Sequence, residues 1–254
     1  MAAVTSLTDV AKRYRWDGPW VLQGVDVAVE PGAVVEVRGV NGAGKSTLLR
    51  LLAGASLPSR GRRRTAPDVA VGYAPERLAA PPFTAEEYLR HHTRVRKAPE
   101  GAAVALAERL GLGELLGERM AALSKGSLHK VVVVQALAGD PRLLVLDEPF
   151  SGLDLDARAT LAEIVRERAE DGAAVVFSDH SEAGQTRPQA ALRWMVENGR
   201  VAVTSAQRSV ARVVRDVAAG ESDDALRAAL SRGAHVHRVE PLENGVVRIE
   251  VEEP

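Results

Sequence analysis

Gly39-Val40-Asn41-Gly42-Ala43-Gly44-Lys45-Ser46, with Thr47 behind it, decides how the chain folds. The stretch fits G-x-x-x-x-G-K-[ST]. Before it, Val34-Val35-Glu36-Val37 reads as a short strand. After it, Lys45 to Gly54 reads as a helix with Leu48, Leu49, Leu51 and Leu52 on the buried side. Glycines let the backbone turn so that successive N–H groups face one anion. The helix that begins at Lys45 aims its positive end at the same point. In such a loop Lys45 reaches terminal phosphates, and the Ser46 hydroxyl can enter a Mg²⁺ shell. The expectation is strand, phosphate loop, helix.

Roughly a hundred residues on, Leu143-Leu144-Val145-Leu146 is a continuous apolar run that ends in Asp147-Glu148. Such a run suits a strand buried on both faces. Open α/β sheets bind ligands at the carboxyl ends of their strands, which puts the two acids beside the loop. Asp147 is the candidate Mg²⁺ ligand, through water, and Glu148 the candidate base that polarises an attacking water.

The remaining chain fits an α/β fold around these two motifs. Val21 to Glu30 alternates and then breaks at Pro31-Gly32, as an exposed antiparallel strand does. Pro58 to Pro67 reads as a basic loop, its arginines at 60, 62, 63 and 64 either solvated or facing lipid headgroups. Val69 to Tyr73 is a short strand. Thr84 with Glu87 three positions on signals a capped helix, and a Leu- and Ala-rich helical stretch runs from Ala102 to Leu116. Further helices are expected at Leu128–Ala138 and Ala157–Glu170, and a strand at Ala173–Phe177. Strands alternating with helices imply a parallel sheet, and the helical block at 77–140 interrupts it as an inserted subdomain. Asn198-Gly199 marks a hairpin. Residues 1–205 are expected to form the main domain. Residues 206–254, more charged and with a second Asn-Gly turn at Asn244-Gly245, read as a small α+β appendage.

Composition removes several function classes. The 254 residues are 46% apolar and 26% charged, with a formal net charge of −1, so nothing global points to nucleic acid. No cysteine is present, which excludes disulfides, thiolate metal sites and Cys nucleophiles. His91, His92 and His129 are too few and too ill-spaced for a metal site. No apolar stretch of about 18 residues occurs, so work at a membrane requires a partner to supply the membrane part.

With both motifs placed, the chain from residue 1 to about 205 resembles an ABC ATPase. GVNGAGKST at Gly39–Thr47 is close to that family's phosphate loop. Asp147-Glu148-Pro149 and Ser151-Gly152-Leu153-Asp154 resemble its Walker B strand and D-loop. His180 follows Val175-Val176-Phe177, where the family's switch histidine falls. Leu123-Ser124-Lys125-Gly126-Ser127 looks like the signature usually written LSGGQ. Tyr14 stands about 25 residues before the loop, where the family stacks an aromatic on adenine, and Trp16 is its rival.

The resemblance implies a fold with a mixed sheet, an antiparallel β subdomain and the inserted helical subdomain. It implies a Mg²⁺-dependent ATPase in which two domains pair head to tail. Each ATP then lies between one subunit's loop and the other's signature, where Ser124, Lys125, Gly126 and Ser127 face the γ-phosphate. Glu148 and His180 act on the attacking water, and Asp154 with Glu76 couples the sites. The implied setting is the cytoplasmic face of the cell membrane, reached through a separate permease. The insertion is short, about 48 residues from Glu76 to the signature, and resembles ATPases of export-type permeases, so export is expected over import. The alternative is a non-transport ATPase such as one of iron–sulfur assembly, or a non-catalytic regulator.

The chain departs from the family pattern in three places. Glu76 stands where a Gln is usual, Lys125 replaces a Gly, and Ser127 replaces the signature Gln. None of them removes Lys45, Asp147, Glu148 or His180, so hydrolysis is expected.

Overall fold

The computed structural model describes residues 2–179 and 188–205, the strands at 211–218, 235–241 and 246–253, and helical positions 223, 224, 227 and 230. The chain divides into two compact units, Met1–Ser205 and Ala206–Pro254.

In the first unit a six-stranded sheet has the order β5(Val71–Ala74), β6(Leu143–Leu146), β7(Ala174–Ser178), β3(Val34–Arg38), β8(Leu192–Glu197), β9(Arg200–Ser205). The first five run parallel, and β9 turns back antiparallel through the Asn198-Gly199 hairpin. Alternation along these strands makes two cores. Val35, Val37, Leu143, Val145 and Val176 face one side, where α1(Lys45–Ala53) and a small antiparallel sheet cover them. Leu144, Leu146, Val175 and Phe177 face the other, against the remaining helices. The four leucines of α1 are fully buried. At roughly 1.5–3 kcal/mol each, they contribute on the order of 6–12 kcal/mol of transfer free energy, which fixes the helix beneath the sheet.

The small sheet has the order β2(Leu22–Val29), β1(Thr5–Lys12), β4(Arg60–Thr65). The basic segment is therefore a strand rather than a loop. Its backbone pairs with β1 from Thr5↔Thr65 to Ala11↔Arg60. Arginine-rich, it shows no apolar alternation. Arg63 alone turns inward, its Nε and Nη2 donating to the Leu52 carbonyl at 3.0 and 2.8 Å near the end of α1.

The helical block comprises α2(Ala85–Val95), α3(Ala102–Arg109) and α4(Lys125–Leu137). Thr84 caps α2 in a full capping box: its Oγ accepts from Glu87 N–H at 3.2 Å, and Glu87 Oε2 accepts from Thr84 N–H at 2.9 Å. The stretch expected helical to Leu116 instead ends at Arg109, because Gly111 takes a positive φ of 71°. α4 carries Val131–Val134, all buried, and has no polar stripe from there to Leu137. It begins three residues earlier than the apolar run suggests, because Ser124 caps it by accepting from Ser127 N–H at 3.0 Å. α5(Leu155–Glu170) likewise starts early, capped by Asp154.

The second unit is a three-stranded antiparallel sheet of order β10(Ala211–Ala218), β12(Val246–Glu253), β11(His235–Pro241). Residues 223, 224, 227 and 230, between β10 and β11, are helical.

Candidate nucleotide site

The loop Gly39–Gly44 joins the carboxyl end of β3 to the amino end of α1. Gly39, Gly42 and Gly44 take φ of 150°, 80° and 109°. At Gly39 a Cβ would lie 2.3 Å from the Val196 carbonyl oxygen, so φ and the close approach both demand glycine there. Lys45 is buried, and its Nζ donates to the carbonyls of Gly39 at 2.9 Å and Val40 at 3.2 Å. Burial lowers the Lys45 pKa from its ordinary value, while the carboxylates of Glu148, Asp147 and Glu76 work against that shift. The ammonium therefore sits in a field set by the three acids named from sequence.

Asp147 and Glu148 follow β6. Asp147 is 1% exposed. Its N–H donates to Ala74 O at 2.8 Å, and its Oδ1 accepts from Ser178 Oγ at 2.8 Å. Its Oδ2 is buried with no hydrogen-bonding partner among the described residues. Ser178 Oγ also accepts from Glu148 N–H at 2.9 Å, so one hydroxyl orders both acidic residues. Ser178 was not picked out from sequence. The signal was its place: β6 pairs with β7 so that Leu146 faces Phe177, which brings 147 and 178 level at the strand ends. Glu148 has φ 54°, uncommon for a residue other than glycine.

A cleft of about 600 Å³ is lined by Asn41, Lys45, Ser46, Glu76, Arg77 and Glu148 among others. The structure thus brings the loop, Glu148 and Glu76 together. Glu76 is paired with Arg77 at 3.2 Å. Tyr14 lies at the rim of α1, its hydroxyl 3.0 Å from Thr47 Oγ1 and accepting from Arg50 Nη1 at 3.3 Å. Tyr14 is 58% exposed and Trp16 85% exposed, with Lys12 Nζ 5.2 Å from the Tyr14 ring and the Arg13 guanidinium 5.7 Å from the Trp16 ring. The Thr47 hydroxyl is taken up by Tyr14.

The signature residues lie elsewhere. Ser124 and Lys125 are exposed at the start of α4. Lys125 and Gly126 line a second cleft, of about 480 Å³, with Ser151, Gly152, Glu76 and Arg77. A Cβ on Gly126 would lie 2.7 Å from Gly152 O, so the signature glycine lets α4 start against the Ser151-Gly152 turn. Ser127 Oγ is 2.9 Å from Ser124 Oγ. Asp154 accepts from Ala157 N–H at 2.8 Å and from Lys130 Nζ at 2.8 Å, and the lysine bond chiefly holds its carboxyl below the usual range. His180 lies outside the described residues.

The geometry is that of a phosphate-binding loop facing a strand-end acid pair, with a second motif set apart. Known proteins match it. The family model described as "ABC transporter" matches residues 22–151. The zinc import ATP-binding protein ZnuC of Paracoccus denitrificans is 40% identical over 184 residues, 71% of this chain and 71% of the relative. The ZnuC of Cereibacter sphaeroides is 38% identical over 164 residues, 63% of this chain and 66% of the relative, so these matches span about two thirds of the relatives' length. A solved structure described as the ATP binding subunit of an ABC transporter superposes with a TM-score of 0.71 at 30% identity, covering 80% of this chain and 90% of that one. The family match, the identity to these relatives and the shared fold agree: the chain belongs to the ABC transporter family as an ATP-binding, ATP-hydrolysing subunit.

Proposed function

We propose that this chain drives import, not export, through a separate membrane permease, and that metal ions such as zinc are the cargo class. The observation that carries this reading is the 40% identity to a zinc import ATP-binding protein. The short helical insertion had suggested export. That expectation is overturned by the relatives, whose names specify import. Among the described residues no helix is long and apolar enough to cross a membrane. The crossing is assigned to the permease, with this chain peripheral on the cytoplasmic face.

At the site, the Gly39–Ser46 loop and the α1 amino end bind the phosphates, and Lys45 swings from its loop carbonyls onto them. Tyr14 stacks on adenine. Ser46 and Asp147 offer the oxygen donors that suit Mg²⁺, and the buried, unpartnered Asp147 Oδ2 fits that duty. When bound, the ion neutralises phosphate charge. Glu148 takes a proton from the attacking water, and His180 is assigned the contact to the γ-phosphate and that water. Lys125 and Gly126 line a second cleft, apart from the one that holds the loop, so Ser124 to Ser127 are assigned to the nucleotide of a second subunit, and Glu76 and Asp154 to coupling the two halves.

The test is reconstitution with the permease in vesicles with ATP and this chain inside. Zinc added outside should accumulate within. Zinc leaving preloaded vesicles in an ATP-dependent manner would reverse the assigned direction. In parallel, Glu148→Gln should keep ATP binding and lose turnover. Normal turnover by that variant would remove Glu148 from its assigned role.

A further inference from the structure

His129 lies in α4, three residues past Gly126, and is 9% exposed. Its Nε2 is 3.1 Å from the carbonyl oxygen of Glu148. That carbonyl also accepts from Ser151 N–H at 3.1 Å. The residue so gripped has φ 54°, a strained conformation for a residue other than glycine. Burial lowers the His129 pKa from its ordinary value, so the ring is neutral at neutral pH, and the Nε2–H tautomer is the one able to donate to a carbonyl.

The helix that carries this histidine begins with the signature. Ser124 caps it, and Gly126 abuts the carbonyl of Gly152 in the turn that follows Glu148. A helix is stiff over one turn, so a displacement of its first residues reaches residue 129 almost undiminished. The Glu148 carbonyl is thereby tied to the element that holds the signature, whereas its N–H is tied to β7 through Ser178.

We propose that His129 is a positioning residue: by donating from Nε2 to the Glu148 carbonyl, it sets the glutamate in the geometry for hydrolysis and links the signature helix to the hydrolytic residue of its own subunit. This rests on the reading of Glu148 given above. Ser124 of this subunit serves the partner's nucleotide and His129 its own, so one helix bears on both sites of a dimer. Occupancy of one site then reaches the base of the other through about one turn of α4.

The experiment compares His129→Leu with His129→Gln in the full chain, measuring kcat and KM for ATP, ATP binding and the unfolding midpoint. The Gln amide nitrogen can stand where Nε2 stands and keeps a donor. Leu keeps bulk and removes it. Losing one hydrogen bond to a strained carbonyl, about 1.4 kcal/mol, converts to a tenfold change. His129→Leu should therefore lose about tenfold in kcat with KM and ATP affinity within twofold, and His129→Gln should stay within threefold of the parent. A parent that responds cooperatively to ATP should lose that response in the Leu variant and keep it in the Gln variant. Full turnover in His129→Leu while Glu148→Gln is dead would sink the positioning role alone. Full turnover in both would sink the reading of Glu148 with it. Equal losses in Leu and Gln, or a kcat loss that tracks lost ATP binding or a lowered midpoint, would also overturn the proposal by making the residue merely structural.

Discussion

Replacing Ser178 with alanine should destabilise the first unit by about 3 kcal/mol. The hydroxyl is fully buried and makes two bonds, donating to Asp147 Oδ1 at 2.8 Å and accepting from Glu148 N–H at 2.9 Å. A hydrogen bond to a charged group is worth about 1.5–3 kcal/mol, and a buried N–H left without a partner costs about 1–3 kcal/mol. The two overlap, because the same cavity admits a water that repairs part of each, which sets the estimate near the low end of their sum. For a unit of this size 1 kcal/mol moves the melting midpoint by about 2–4 °C, so the shift should be about 6–12 °C. Thermal melting read by calorimetry, with Ser178→Thr beside it, is the assay. Threonine keeps the hydroxyl and adds a methyl, and overpacking should cost it about 1 kcal/mol. The same change should slow ATP turnover, since both acids lose their common tether. A melting shift below about 3 °C, or equal shifts for Ala and Thr, would refute the account of Ser178 as the joint support of Asp147 and Glu148.

Gly39→Ala places a Cβ 2.3 Å from the Val196 carbonyl at φ 150°, and equilibrium dialysis should show ATP binding weakened by more than tenfold. Thr84→Ala removes the Oγ that accepts from Glu87 N–H, leaves the residue-84 N–H free to donate to Glu87 Oε2, and should lower stability by about 1 kcal/mol in urea unfolding while leaving kcat unchanged. Burial, its main cause, lowers the pKa of both His129 and His92 from the ordinary 6.5. Below about 6.5 the unfolded chain then binds protons that the folded chain does not, so stability is full above that pH and falls as pH drops toward the folded values. Urea midpoints should therefore decline from pH 7.5 to 5.5, and His129→Gln should make the decline shallower.

Sequence alone carried the parts of the fold whose causes are local. The Gly39–Ser46 loop, the four buried leucines of α1, the apolar run of β6 and the Thr84–Glu87 box each announce themselves within a few residues. β1 did not, because a bulge interrupts it: Asp9 has φ 47° and the pairing slips between Leu7 and Val10, which destroys the period of two. β4 stayed hidden because none of its six residues carries an apolar side chain and only pairing with β1 makes it a strand. The acids at 147 and 148 were legible as a strand end. Their supports were not, since Ser178 lies about 30 residues away in sequence and His129 about 19 in the other direction, and each looks ordinary where it stands. The expected direction of transport is a different case, because a short helical insertion is a matter of family habit and carries no physical link to which way a permease works.

The Glu148 turn shows why those supports matter. A left-handed residue next to a buried carboxylate is an unfavourable arrangement, costing on the order of 1–3 kcal/mol for the backbone alone. It persists because three elements hold it: β7 through Ser178 on the N–H, α4 through His129 on the carbonyl, and α5 through Arg158, whose Nη2 donates to Phe150 O at 2.9 Å. Two of these begin at motifs that the resemblance ties to a second subunit, α4 at Ser124, expected to face its nucleotide, and α5 at Asp154, expected to couple the two sites. Asp154 is in turn joined to α4 by Lys130 at 2.8 Å. Any partner that engages Ser124 or Asp154 therefore pushes on the same turn from two helices locked to each other. A strained turn with several holds is a suitable place to store two alternative settings, because loosening one hold changes its balance by an amount close to the strain itself.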